Sequence, residues 1–151
     1  MIFRRAGAED VPAIVAMLAD DHLGAIREDT APEALPRYLA AFHAVDQDPN
    51  QLLAVLERDG QVIGCLQIAF LPGLSRQGAW RGQIESVRIA ASHRGQGLGA
   101  TFIRWAIERC REHGCTMVQL TSDASRTGAH RFYERLGFHA THVGMKLVFD
   151  E

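Results

Sequence analysis

Lysine is nearly missing from this chain: of sixteen Lys and Arg residues only Lys146 is a lysine, a bias to which no function is assigned. No uncharged apolar run reaches the roughly eighteen residues a membrane span needs, and Arg4, Arg5, Glu9 and Asp10 interrupt the start where a secretory signal would be apolar. A cytoplasmic protein without a membrane partner is expected. The three cysteines, Cys65, Cys110 and Cys115, are odd in number and lack ligand spacing, so buried free thiols are expected. None of the seven histidines shares a helix face with another at ligand spacing, and no metal site is expected. A net charge of −2 lacks the basic excess of a general nucleic-acid binder. Gly-Lys-Ser and Gly-Lys-Thr are absent, which excludes the nucleoside-triphosphatase loop. Repeats, linkers and low-complexity segments are absent too.

What is present suits one domain with one core, since 151 residues can bury most of the surface an unfolded chain exposes. Residues 2–5 alternate as an opening strand, and Ala8-Glu9-Asp10 leads into Val11, Ile14, Val15 and Leu18 at helical spacing. A polar stretch with Asp20, Asp21, His22, Glu28 and Asp29 follows, then a helix over about 32–45 with Leu35, Leu39 and Phe42 on one stripe. Asp59-Gly60 between the apolar runs 51–56 and 61–70 is the strongest short-range hairpin signal. Strict alternation over 83–89 puts Ile84, Ser86 and Arg88 on one face of a strand and Glu85, Val87 and Ile89 on the other. Phe102, Ile103, Ala106, Ile107 and Cys110 mark a helix over about 97–112, stopped by Gly114. A strand at 117–120, a helix at 127–136 closed by Gly137 and a last strand at 143–149 complete the chain, with 138–141 a further candidate strand. This order predicts a mixed α/β sheet with helices on both faces.

Between the alternating strand and the long helix stands Arg94-Gly95-Gln96-Gly97-Leu98-Gly99-Ala100. Without side chains in the way, backbone N–H groups can converge on one anion, and the following helix adds roughly half a positive charge at its start. A phosphate or pyrophosphate is the ligand this predicts. Gly95, Gly97 and Ala100 also match Gly-x-Gly-x-x-Ala, but a dinucleotide loop closes the first strand of a parallel sheet, and this one comes late. A flexible surface turn is the plain alternative.

Read as Arg-x-x-Gly-x-Gly, Arg94 to Gly99 resembles the pyrophosphate loop of the GNAT superfamily of acetyl-CoA-dependent N-acetyltransferases. Ala129-His130-Arg131-Phe132-Tyr133-Glu134-Arg135-Leu136-Gly137-Phe138 resembles the family's later helix and turn. The specific residues lie within about 83–138, and the resemblance implies one GNAT-like domain over 1–151. It implies a mixed, mostly antiparallel sheet of six to seven strands flanked by about four helices. It also implies that the strands at 81–89 and 117–121 splay apart, with the pantetheine arm of acetyl-CoA bonded between them to the backbone of Val87 and Ile89, beside Arg88. The pyrophosphate falls to Arg94, Gly95, Gln96, Gly97, Leu98, Gly99 and Ala100, and Ala129 and Phe132 border the same site. Where the family often has an asparagine, this chain has Ser122, able to keep a similar hydrogen bond. Arg126, His130 and Arg131 either reach the nucleotide end or form a solvated helix face.

Acyl transfer to an amine of pKa near 10.4 at pH 7 costs about 4 to 5 kcal/mol for deprotonation, at roughly 1.4 kcal/mol per pKa unit. A positioned base lowers that barrier. The resemblance assigns the task to Glu85, directly or through water, with partial desolvation by Val87 and Ile89 raising its pKa; the alternative is a solvated edge carboxylate. Tyr133 is implied as the general acid that protonates the departing thiolate; the alternative is an aromatic packed beside Phe132 and Phe138. The mechanism implied is direct attack, without an acyl-cysteine. The acceptor is expected to be a small-molecule or protein amine. Asp20, Asp21, Glu28 and Asp29 either draw a cationic acceptor or form a solvated surface, and Trp80 lines the acceptor's mouth or packs. The family's pairing through its last strands implies a possible homodimer. A non-catalytic acyl-CoA sensor is the competing function.

Overall fold

The structure, a computed structural model, describes residues 1–149. Five strands form one sheet in chain order: β1 (Ile2–Arg5), β2 (Gln51–Arg58), β3 (Gln61–Leu71), β4 (Trp80–Ile89) and β5 (Cys115–Leu120). β1 to β4 pair antiparallel with their neighbours, and β5 runs parallel to β4. At the β2–β3 turn Asp59 and Gly60 have φ of 53° and 75°, the left-handed values a two-residue hairpin turn requires.

Helices α1 (Val11–Ala19), α2 (Gly24–Arg27) and α3 (Leu35–Gln47) precede the hairpin. α4 (Ser75–Gly78) is a single left-handed turn, with Arg76 and Gln77 at φ 55° and 61°. α5 (Leu98–Glu112) and α6 (Thr127–Arg135) follow β4 and β5. α1 and α3 cover one face of the sheet, where Val11, Ile14, Val15 and Phe42 pack on Val55 and Cys65. α5 covers the other, with Phe102, Ile103, Ala106 and Cys110 against Leu56, Leu66, Ile68 and Ile84. Phe102 and Ile103 are completely buried, and each such side chain stabilises by roughly 1.5 to 3 kcal/mol. The buried Asp10 fastens β1 to α1: Arg4 donates to its two oxygens at 2.7 and 3.0 Å and the Gly7 N–H at 2.7 Å. The Arg4 guanidinium holds the Asp10 carboxyl below its ordinary range.

The mostly antiparallel mixed sheet is as expected, but it has five strands instead of six to seven. The candidate strands at 138–141 and 143–149 do not form. From His139 to Phe149 the backbone makes no backbone hydrogen bond among the described residues. Alternation makes a segment one-sided, but only a neighbouring edge makes it a strand. The helix count also differs, six against about four, because α2 and α4 are single turns too short to show periodicity. The second helix begins at Leu35, after a 3-10 turn over Pro32–Ala34.

One bulge in β4 decides how the site is built. The β3–β4 register passes from Cys65↔Arg88 to Gln67↔Glu85, so Ser86 and Val87 together oppose Leu66. Ser86 takes φ 58° to make room for the extra residue. Beyond it the two faces exchange, and the strict alternation expected over 83–89 fails. Ile84, Val87 and Ile89 all join the α5 core, whereas Arg88 turns to the α1 side, where Asp21 meets it. Glu85, opposite Gln67, is exposed and does not share a face with Val87 and Ile89.

A β-branched side chain at a left-handed position is strained by more than serine is. Ser86→Val is expected to lose about 1 to 2 kcal/mol, read as a melting temperature lower by roughly 2 to 8 °C, while Ser86→Gly holds or raises it. Equal melting for the valine variant would mean that the bulge is absent in solution.

Candidate functional site

β4 and β5 are paired from Trp80↔Cys115 to Ile84↔Leu120 and part there. Residues 85–89 therefore have β3 on one side and no strand on the other. Two edge carbonyls are held by guanidinium groups instead: Arg88 donates to the Val87 carbonyl at 3.0 Å and Arg94 Nε to the Ile89 carbonyl at 3.1 Å. The chain then enters the glycine loop, with Gly95 at φ 79° and Gly97 at φ 76°. None of the six consecutive N–H groups of Gly95, Gln96, Gly97, Leu98, Gly99 and Ala100 has an acceptor among the described residues. They stand at the start of the fifteen-residue α5, whose N-terminal field favours an anion at the same place. A Cβ on Gly99 would lie 3.5 Å from the Phe132 ring, so this helix start and α6 are close neighbours.

The arginines next to the loop are tied to the turn between α1 and α2. Arg94 reaches the Asp20 carbonyl at 3.3 Å and its carboxylate at 3.5 Å; Arg88 pairs with Asp21 at 3.1 Å. Burial pushes the Asp21 carboxyl up, but the Gly24 N–H, Arg88 and Arg126 outweigh it and hold the group below its ordinary range. Glu28 accepts from the Tyr38 hydroxyl at 2.9 Å, and Asp29 caps the Ala31 N–H at 2.9 Å. Each residue of the acidic stretch thus has an internal partner, while Asp20 and Asp29 stay exposed. Trp80 lies at the opposite end of β4 from the glycine loop and packs on His113, itself stacked on Phe70 at 4.0 Å. Gln96 accepts a bond from Arg58 at 3.3 Å.

On the other side of the gap, just past β5, the Ser122 hydroxyl oxygen is buried and has no partner among the described residues. Tyr133 on α6 meets Phe132 and Phe138 edge to face, at centroid distances of 5.0 and 5.8 Å. Its hydroxyl has no hydrogen-bond partner among the described residues. Burial raises the Tyr133 pKa above the ordinary phenol value, against the nearby charges of Arg126 and Arg88. Ala129 sits one turn before Tyr133, its N–H bonded to the Arg126 carbonyl at 3.1 Å. His130 is engaged with the Asp123 carbonyl at 2.9 Å. Glu85 makes no hydrogen bond or ion pair among the described residues and stands immediately before the bulge. Burial pushes the Cys65 and Cys110 thiols up to about 12, which removes them as nucleophiles at neutral pH.

Six free amides, an unpartnered serine hydroxyl and an unpaired strand edge fit a long ligand with a diphosphate at one end and an amide-bearing arm. Among the described residues no group of three His, Cys, Asp or Glu side chains is placed to hold a metal, and no helix is long and apolar enough to cross a membrane. An open recess of about 560 Å³, bordered by Met17, Asp20, Thr30, Ala90 and Ala91, lies beside the Arg94–Asp20 link. The Asp20 and Asp21 contacts were not readable from sequence, because they join segments far apart in the chain. Gly97→Val, strained at φ 76°, is expected to weaken coenzyme A binding about tenfold. Calorimetry giving the parent's affinity would mean that the loop conformation does not hold the anion.

The acetyltransferase (GNAT) family model matches residues 13–138. An aminoalkylphosphonate N-acetyltransferase from Salmonella typhimurium is 27% identical over 139 residues, covering 92% of this chain and 85% of that protein. A glucosamine 6-phosphate N-acetyltransferase from Trypanosoma brucei brucei is 36% identical over 88 residues, 58% of each chain. A crystal structure described as a transcriptional regulator from Bacillus halodurans C-125 superposes with a TM-score of 0.95 at 44% identity, covering 98% of this chain and 99% of that one. Such coverage takes in most of the extended C-terminal residues. On the strength of these matches, and of a site that fits the ligand, the chain belongs to the acetyltransferase (GNAT) family and is an acetyl-CoA-dependent acyltransferase.

Proposed function

We propose that the chain moves an acetyl group from acetyl-CoA to a primary amine, on a small molecule or a protein, by direct attack. The observation that carries this is the run of six free N–H groups from Gly95 to Ala100 beside the unpaired edge of β4. Bound there, acetyl-CoA supplies an activated acyl carbon and a thiol leaving group. The loop amides hold the diphosphate, with Arg94 at their border. The Val87 and Ile89 carbonyls, now held by Arg88 and Arg94, offer the acceptors an amide arm takes when it adds to a strand. Ser122 gives its free hydroxyl to the same arm, and Ala129 and Phe132 wall it from α6.

Glu85 takes the proton from the incoming amine. Its exposure suits transfer through a water. Tyr133 gives its proton to the departing sulfur. Its raised pKa keeps that proton in place at pH values where an ordinary phenol begins to lose it. The buried cysteines have no part in the transfer.

The test is release of thiol from acetyl-CoA in the presence of a panel of amines. It includes aminoalkylphosphonates and glucosamine 6-phosphate, the amines named for two relatives. Silence across the panel from a protein that binds coenzyme A would leave a sensor in place of an enzyme. Tyr133→Phe is expected to lower kcat about 10²- to 10⁴-fold with coenzyme A affinity nearly unchanged; lost affinity with normal kcat would make Tyr133 a binding residue. Glu85→Gln is expected to need free amine, so its rate climbs with pH where the parent's is level. Overlaid pH profiles would remove Glu85 as the base.

A further inference from the structure

On the face of the sheet away from α5, α1 lies over β3 and β4 and α3 over β2. The angle between the two helices leaves a cavity of about 120 Å³. Val11, Ile14 and Val15 wall it from α1, Phe42 and Val45 from α3, and Cys65 lies at its floor. No charged side chain lines it. Most of its polar side-chain groups already have partners. The Tyr38 hydroxyl donates to Glu28 at 2.9 Å and accepts the Asp29 N–H at 3.0 Å. The Gln67 amide donates to Gln51 at 3.1 Å, and the Cys65 thiol to the Ser86 carbonyl at 3.7 Å. The interior therefore has little to offer water. An apolar cavity of about 150 Å³ stays dry and takes benzene, so a space of this kind selects an apolar guest.

The sheet register places the cavity beside Glu85. Leu53 opposes Gln67 and Gln67 opposes Glu85, so the three form one row across β2, β3 and β4, on one face of the sheet. Leu53 and Gln67 line the cavity and are partly covered, whereas Glu85 is exposed. Neighbours in such a row stand about 5 Å apart, so the carboxylate lies one strand beyond the cavity's rim. Ser86, the bulge residue, lines the cavity too. The irregularity that ends the alternation of β4 thus sets a carboxylate and an apolar pocket side by side. An amine belongs with the first, and an apolar group attached to it with the second.

We propose that this cavity selects the acceptor by receiving a compact apolar substituent of up to about six carbons carried by the primary amine. The acceptor class is then apolar amines of the size of 3-methylbutylamine or benzylamine, ahead of amines whose body is a sugar or a phosphonate. The assignment to the acceptor rests on the proposed function; the cavity's affinity for an apolar guest does not.

Thiol release from acetyl-CoA is measured with ethylamine, propylamine, butylamine, 3-methylbutylamine and benzylamine. kcat/KM is expected to climb roughly fourfold or more per added carbon until the cavity is filled, and to be higher for 3-methylbutylamine than for 2-aminoethylphosphonate or glucosamine 6-phosphate. Ala41→Leu, at an exposed position of α3 that borders the cavity, is expected to lower kcat/KM for 3-methylbutylamine about tenfold with ethylamine turnover and coenzyme A affinity unchanged. Leu53→Ala enlarges the cavity instead and is expected to move the preference to longer amines. Far-UV dichroism checks that both variants are folded. Rates independent of chain length, or preferences the same in the parent and both variants, overturn the proposal. A second measurement needs no turnover: 3-methylbutylamine, added without acetyl-CoA, is expected to shift the methyl resonances of Val15, Val45 and Leu53 in the parent and not in Ala41→Leu. Unshifted methyls in the parent also overturn the proposal. Shifted methyls without thiol release overturn acyl transfer and leave the apolar pocket standing, so the two failures are distinct.

Discussion

A backbone carbonyl or amide that loses its partner away from water costs as much as a lost hydrogen bond or more, and residues 85–89 of β4 have no strand on one side where β5 leaves them. The parting at Ile84 and Leu120 is therefore the constraint from which the rest of the site follows. Two guanidinium groups answer it in the free protein, Arg88 on the Val87 carbonyl and Arg94 on the Ile89 carbonyl. Each is anchored in turn, by Asp21 and by Asp20. The turn between α1 and α2 is thereby fixed to the strand edge.

The bulge at Ser86 gives the same strand two characters. Before it, Ile84 belongs to the α5 core and Glu85 faces the α1 side in the open; after it, Val87 and Ile89 return to the core and Arg88 faces Asp21. Without the extra residue, either Ile84 or the pair Val87 and Ile89 would leave the core. One residue at φ 58° keeps both halves of β4 anchored in one core while setting Glu85 and Arg88 on the same outer face. A local strain of about 1 to 2 kcal/mol is small against the burial of three aliphatic side chains.

Much of this was legible in the residues. Asp59-Gly60 announced its hairpin because few residues tolerate two left-handed positions in succession, and the stripe from Phe102 to Cys110 announced α5 because its face has one partner, the sheet. The glycine loop was readable for the opposite reason, since side chains are excluded where main-chain amides must meet a ligand. Ser86 was illegible: a bulge interrupts a period of two without any marker residue, and the apolar pattern of 83–89 reads as unbroken alternation. The partners of the acidic residues after α1 were not legible, because composition records their charge but not the arginines that the fold brings to them. The terminal strands were legible as a pattern but do not form, since a pattern specifies a face and does not supply the neighbouring edge that makes a strand.

The sheet leaves two edges open near the cleft, the inner edge of β4 beyond Ile84 and the outer edge of β5. They differ in what can fill them. The inner edge opens beside six unpaired amides at a helix start, a field that selects a small anionic ligand and excludes an apolar strand. The outer edge borders Val118, Leu136 and Phe138, where an apolar strand gains from burial and an anion does not. Chemistry, more than shape, thus suits the inner opening to an anionic group and the outer edge to apolar cover.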